Sequence, residues 1–161
     1  MKTFLLFTDG SVNVQSKTGW GAFLAFQETG EIPENLPERV KIKRFENTSS
    51  TKLELQTLLW ALQNIETKNC RVVVYTDSQN IIGLPARKER FQKNEYHNKK
   101  GGLIKNHQLY KDFFQQTDNL DIEFIKVRGH KKTAQKDYID KIFTIVDRAS
   151  RRALRDLKKL E

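Results

Sequence analysis

The sequence predicts an α/β domain on a mixed five-stranded sheet, three antiparallel strands followed by two parallel ones, with helices flanking it. Three observations predict it. Strand-type segments crowd the first 45 residues with only short polar breaks between them. After them, segments of helical period alternate with an apolar run at 71–76 and an alternating run at 121–127. Strands first, then strands separated by helices, suit an antiparallel meander extended by parallel crossovers. Finally, the first and fourth strands deliver the same pair, Thr8-Asp9 and Thr76-Asp77, to their last positions. That suggests two carboxylates meeting at one edge of a sheet.

Each element has its own justification. Phe4-Leu5-Leu6-Phe7 is a short, bounded apolar run, hence a buried strand, with Asp9 expected at its end. Gly10 lets another backbone or a phosphate come close. A polar loop is expected at 12–18, then a second strand whose Gly19 and Gly21 permit close approach on one face. Gly30, Pro33 and Pro37 mark a turn and a loop. Val40-Lys41-Ile42-Lys43 alternates apolar with basic, the pattern of a half-buried third strand.

Thr48-Ser49-Ser50-Thr51 offers capping oxygens to a helix carrying Leu53, Leu58, Leu59, Leu62 and Ile65 at helical spacing. Glu54 is expected in its first turn, where the helix dipole favours a carboxylate whatever the function. After Asp77 a helix from Ser78 is expected to run to Pro85. Gly101-Gly102 marks a turn, and the next helix is expected to carry Leu103, Ile104, Leu109, Tyr110, Phe113 and Phe114. The strand at 121–127 leads into Arg128-Gly129-His130 and a lysine-rich loop. From about Ala134 a long helix presents Ile139, Ile142, Phe143, Val146 and Ala149 on one face. Asp140 and Asp147 are seven apart and project from nearly the same side of it.

A chain of 161 residues suits a single domain, expected here over 1–161. Hydrophobic content of 37% and charged content of 30% indicate a globular protein rather than a disordered one. No apolar run approaches the roughly 20 residues of a membrane span, and no signal-peptide pattern opens the chain. No membrane association and a cytoplasmic location are therefore expected. The single cysteine, Cys70, excludes an internal disulfide and a cysteine metal cluster.

Net charge of +9 and a pI near 9.7 point to a polyanionic partner, nucleic acid foremost. Between Arg87 and Lys105 the apolar period fades. There Arg87, Lys88, Arg90, Lys93, Lys99, Lys100 and Lys105 oppose only Glu89 and Glu95, with Phe91 and Tyr96 interleaved. Such a segment suits a phosphate backbone and a sugar or base face. A solvated helix or loop carries a similar pattern.

Taken in order, Thr-Asp-Gly-Ser at 8–11, Leu-Glu-Leu at 53–55, Thr-Asp-Ser-Gln at 76–79, Gly-His at 129–130 and an aspartate on the last helix form a series. Each motif is weak alone. In this order, at this spacing and between these elements, the chain resembles a type 1 ribonuclease H from Phe4 to about Leu154. The resemblance implies a ribonuclease H-like fold with acids clustered where two neighbouring strands end. It further implies an endonuclease that cuts the RNA strand of RNA–DNA hybrids and leaves 5′-phosphate and 3′-hydroxyl ends. Phosphodiester hydrolysis needs an activated water, an in-line phosphate and a stabilised leaving oxygen. Two magnesium ions about 3.5–4 Å apart supply all three, and hard cations take carboxylate oxygens. Manganese is the natural substitute for magnesium. Four converging carboxylates would repel one another without cations. No histidine–cysteine set suggests zinc.

Carried over residue by residue, the resemblance implies that Asp9 bridges both ions while Glu54 and Asp77 hold the one facing the leaving oxygen. Asp147 would hold the ion carrying the nucleophilic water. Glu54 resembles the residue that senses the ribose 2′-hydroxyl, and His130 the histidine that assists proton transfer or product departure. Gly10, Ser11, Asn13, Ser50, Thr51 and Gln79 would touch substrate. Arg87, Lys88 and Arg90 resemble the basic protrusion that grips the uncut DNA strand in some relatives. A monomer with no obligate protein partner is expected.

Three departures stand out. Ser50-Thr51 replaces the pair of asparagines many relatives carry, and the first loop lacks an Asn-Pro-Gly pattern. The fourth acid has two candidates: Asp140, ten residues after His130, at a spacing some relatives use, and Asp147, seventeen after it. Asp147 is preferred because its helix, Asp147-Arg148-Ala149-Ser150-Arg151-Arg152-Ala153, better resembles the family's Asp-x-x-Ala-Arg-x-Ala. Two other readings fit the same scaffold: a junction resolvase or integrase-like nuclease, and a hybrid-binding module that has lost catalysis. The first of these usually brings extra domains, and the second would show a missing acid.

Overall fold

The structure is a computed structural model that describes residues 1–128 and 137–160. A five-stranded sheet in the order β3-β2-β1-β4-β5 forms its centre. The strands are β1 (Lys2–Asn13), β2 (Thr18–Gln27), β3 (Lys41–Phe45), β4 (Cys70–Thr76) and β5 (Asp121–Lys126). β2 pairs antiparallel with β1 and β3, while β4 pairs parallel with β1 and β5. The helices are α1 (Leu36–Arg39), α2 (Ser50–Gln63), α3 (Gln79–Lys93), α4 (His107–Thr117) and α5 (Tyr138–Leu160). This is the mixed sheet, three antiparallel strands and then two parallel, that the order of segments implies.

Strand periodicity divides the interior into two layers. Leu6, Phe23, Val72 and Val74 point to one face, where Leu55, Leu58 and Leu62 of α2, Ile81 and Leu84 of α3, and Phe113 and Phe114 of α4 cover them. The alternate residues Leu5, Phe7, Leu24, Phe26 and Val73 point to the other, under Ile142, Phe143 and Val146 of α5. The sheet is thus a partition between two cores.

Several boundaries differ from the sequence expectation. β1 does not end at Asp9 but runs to Asn13, because β2 stays paired with it as far as Asn13↔Thr18. What ends near Asp9 is the pairing with β4, whose last partner pair is Phe7↔Tyr75. The loop expected at 12–18 shrinks accordingly to residues 14–17. α3 passes through Pro85 instead of stopping there. A mid-helix proline costs about 3 kcal/mol or more; here Pro85 faces solvent while Ile81 and Leu84 are fully buried ahead of it and Phe91 packs behind. Leu103 and Ile104 precede α4, which starts at His107. The stretch between Pro33 and Val40 contains the short helix α1, and Cys70 opens β4 as a buried residue. Ala134, where the last helix was expected to begin, lies outside the described residues.

Candidate active site

The site forms where β1 outruns β4. Continuing the register Phe7↔Tyr75 by two residues sets Asp9 beside Asp77, the residue that follows β4. Ser78 then caps α3, its Oγ accepting from the Ile81 N–H at 3.3 Å. Asp77 is thus held between a strand end and a helix start.

Glu54 comes from the opposite layer. Ser49 caps α2, its Oγ accepting from the Lys52 N–H at 3.3 Å, so Glu54 is the fifth helical residue and lies in the second turn, not the first. What lowers α2 onto the sheet is the absence of side chains beneath it. A Cβ on Gly10 would meet Leu53 at 2.8 Å, and one on Gly19 would meet it at 2.7 Å. A Cβ on Gly21 would overlap the Thr57 hydroxyl. These glycines face the α2 layer, so Leu53 and Thr57 settle against bare backbone and Glu54 is carried in with them.

One oxygen each from Asp9, Glu54 and Asp77 lies within 4.8 Å of the others. The three, with Asp147, line a cleft of about 430 Å³ that also includes Gly10, Ser11, Ser50, Thr51 and Gln79. Of the two acids seven apart on α5, Asp147 faces this cleft. Asp140 is buried elsewhere and accepts from the Asp137 N–H at 3.3 Å, closing the N-terminal turn of α5. Asp147 is fixed from two sides: Arg151 Nε donates to its Oδ1 at 2.9 Å, and its carbonyl accepts from the Ser150 hydroxyl at 3.0 Å. Ser150 in turn lies 3.0 Å from the Ser11 hydroxyl, which ties α5 to β1 just past Asp9.

Electrostatics mark the cluster as strained. Burial, first, then a hydrogen bond with Asp147 and the charges of Glu54, Asp77 and Asp147 push Asp9 up to about 10. Burial and Asp77 push Glu54 up to about 8. Glu54 Oε2 is buried without a hydrogen-bond partner, and an orphaned carboxylate oxygen beside two other acids wants a cation. Among the described residues the cluster holds no cysteine or histidine, so its donor set is all oxygen and fits a hard divalent ion.

The remaining expected residues are spread along the cleft and beyond it. Asn13 Oδ1 accepts from the Gln15 and Ser16 N–H groups and so shapes the β1–β2 turn. Gln79 opens α3, and its Oε1 accepts from Lys126 Nζ at 2.8 Å. Arg87 donates to Asn80 Oδ1 at 3.0 Å, and Asn80 Nδ2 donates to the Tyr110 hydroxyl at 3.3 Å. Lys88 pairs with Asp118, while Arg90 is exposed and stacks near Phe91. Gly129 and His130 lie outside the described residues. The sequence reading missed Asn80, Ser150 and Arg151 as members of the site. Only Arg151 left a trace, one turn after Asp147 on the same side of a helix.

Residues 1–147 match a sequence model of the RNase H family. The chain belongs to the ribonuclease H family. Ribonuclease H of Neorickettsia sennetsu is 26% identical over 144 residues, which cover 88% of this chain and 91% of that one. Ribonuclease H of Caldicellulosiruptor saccharolyticus is 26% identical over 146 residues, covering 88% and 94%. Among solved structures, LC9-RNase H1, a type 1 RNase H with the type 2 active-site motif, shares the fold at a TM-score of 0.64 and 21% identity, covering 91% of this chain and 72% of its own. A foamy viral protease-reverse transcriptase bound to dsDNA shares it at 0.59 and 14% identity, covering 89% and 91%.

This ribonuclease H is thus a hydrolase of a family whose nucleases act on RNA–DNA hybrids and depend on divalent metal. Among its described residues no helix is long and apolar enough to cross a membrane.

Proposed function

We propose that this ribonuclease H hydrolyses the RNA strand of RNA–DNA hybrids with two magnesium ions, leaving 5′-phosphate and 3′-hydroxyl ends. The observation that carries this is the set of carboxylates from β1, α2 and the end of β4 within 4.8 Å of one another, close enough that burial and mutual repulsion hold Asp9 and Glu54 protonated well above the usual carboxylate range without cations. Asp9 sits centrally and would touch both ions, Glu54 and Asp77 would hold one, and Asp147 the other. When bound, such ions lower the pKa of a water nucleophile and neutralise charge on the phosphate and leaving oxygen.

The chain's own residues do the rest. Burial of Asp9 and Glu54 keeps bulk water from competing for their oxygens. Arg151 holds the Asp147 carboxylate toward the cleft and supplies positive charge at its rim. Ser50 and Thr51, at the start of α2, and Gln79, at the start of α3, flank the cleft with polar donors for sugar and phosphate oxygens. Glu54 would accept from a ribose 2′-hydroxyl beside the scissile bond, which would separate RNA from DNA on the cut strand. His130 would assist proton transfer or product departure. Arg90 would meet the DNA strand, whereas Arg87 and Lys88 are engaged with Asn80 and Asp118 and would act there mainly by holding α3 in place.

The test sets a labelled RNA–DNA hybrid beside RNA–RNA and DNA–DNA duplexes, with magnesium, manganese or chelator. Only the hybrid is expected to be cut, only with metal, and the downstream fragment should accept no further 5′-phosphate from a kinase. Cutting of DNA–DNA at a similar rate, or of hybrid in chelator, would overturn the reading.

A further inference from the structure

α5 continues for three turns beyond the last residue matched by the family sequence model. That extension carries Arg148, Arg151, Arg152 and Arg155. At roughly 100° per residue, Lys141, Arg148, Arg152 and Arg155 fall within about 60° of one another around the helix. They lie opposite the buried Ile142, Val146 and Ser150, and all four are exposed. From Lys141 to Arg155 the only acid is Asp147, which is turned toward the cleft and paired with Arg151. Among the described residues, none of the other four cations has an ion-pair partner. A merely solvated helix face usually mixes signs in i,i+4 pairs throughout; from Lys141 to Arg155 this one does not, and only at its end does an acid, Asp156, fall four residues after Arg152.

We infer that this face is a second nucleic-acid contact surface, which binds the phosphate backbone of the hybrid arm leaving the cleft. The inference rests on the proposed hydrolysis of hybrids. Continuity places it: Arg151 lines the acid cleft itself, and the Ser150–Ser11 contact fixes α5 alongside β1 at that point. From there the arginines lead away along one continuous helix. The stripe from Lys141 to Arg155 is about 21 Å long at 1.5 Å per residue, the axial length of about six phosphates on one strand. Arginine in four of the five positions suits phosphate better than lysine, because its planar fork bonds two oxygens at once. The contact would carry no sequence preference.

The test compares wild type with the triple variant Arg148→Gln, Arg152→Gln, Arg155→Gln, all three positions being exposed and clear of the acids. Two hybrids are used: one only long enough to cover the cleft, and one longer by a helical turn on each side. On the long hybrid the variant should show a KM raised several-fold and a log–log salt slope smaller by about two, at 0.7–0.9 per lost phosphate contact. Both kcat and the short-hybrid KM should stay at wild-type values. The companion Arg→Lys triple should retain most of the slope. An unchanged slope on the long hybrid overturns the proposal, as does an equal loss on both hybrids, which would place the contact inside the cleft. Binding in chelator, read by fluorescence anisotropy, separates the two claims. If wild type cuts no hybrid, the proposed hydrolysis falls, while a length-dependent loss of binding in the variant still upholds the arginine face.

Discussion

At one end of the β1–β4 pair lies a cleft of about 790 Å³, lined by Met1, Lys2, Gln27, Glu28, Lys68 and Cys70 among others. At the other end lies the acid cleft, little more than half that volume at about 430 Å³. The larger one mixes Lys2, Glu28 and Lys68, all solvent-exposed and of both signs. The smaller one gathers four carboxylates against one cation, Arg151, with Asp9 only 3% exposed. Volume therefore does not choose the site; an excess of like charge gathered around a buried acid does. The parallel pair explains the asymmetry, since in open α/β sheets chemistry collects outside the carboxyl ends of the strands.

The sharpest way to break this contrast is to neutralise one residue at each end. Asp9→Asn should lower cleavage of a hybrid by about 10²–10³-fold or more, on the scale of deleting one preorganised electrostatic group. Glu28→Gln, in the larger cleft, should leave turnover unchanged, and a comparable loss there would remove the distinction. Asp147→Asn and Asp140→Asn refine it within α5: the first should abolish turnover, and the second should act through stability, read by the melting temperature.

Glycines give the next largest effect. Gly21→Ala should cost about 1–3 kcal/mol, because its Cβ overlaps Thr57 and α2 must lift. Glu54 rises with α2, so activity should fall further than thermal stability alone explains. Near the other cleft, Gly30→Ala has open space but a φ of +88°, so it should cost about 1 kcal/mol in strain without touching activity. Thermal melts and kcat measured together on both variants decide this.

Acidity separates the two ends again, more gently. Asp9 and Glu54 are raised in the folded protein to about 10 and about 8 from 3.8 and 4.5. The native state therefore binds more protons than the unfolded one between these values. Their contribution to stability is complete below about pH 4 and is lost as pH climbs toward 8–10. In chelator the melting temperature should fall over that range. Asp9→Asn should flatten the fall, and added magnesium should reverse it by replacing protons at the carboxylates. A metal-free protein equally stable at pH 5 and pH 9 would refute the repulsion described here.

The smallest effect concerns Arg87. Arg87→Ala and Asn80→Ala should each raise KM modestly, and the double variant should do little more than either. The expected coupling is about 1 kcal/mol, the scale of one hydrogen bond. Full additivity would mean that Arg87 meets substrate independently of Asn80.

Much of this was readable in the amino acids. The strand runs, the alternation that splits residues between two faces, and the paired acids at 9 and 77 follow from local pattern; Glu54 reads locally as an ordinary helix-start glutamate and joins them only through the resemblance to the family. Where the reading slipped, a distant partner had decided the matter. Asp9 looks terminal because the apolar run stops there, yet β2 keeps β1 extended for four more residues. Pro85 looks like a helix stop, yet burial of Ile81 and Leu84 outweighs the broken backbone bond. Arg87 looks like a free cation because nothing nearby in sequence claims it, while Asn80 and Tyr110 lie within reach only after folding. Gly10, Gly19 and Gly21 announce some close approach, but not that Leu53 and Thr57 are what approaches.

The premature end of β4 has one more result. Elsewhere the strands wall off the two hydrophobic compartments; past Tyr75 that wall has a gap, and a glutamate from one side can reach an aspartate from the other. Catalytic tuning is therefore open to either compartment, so a conservative change at Val146 or at Leu53, on opposite sides, would be felt at the same carboxylates.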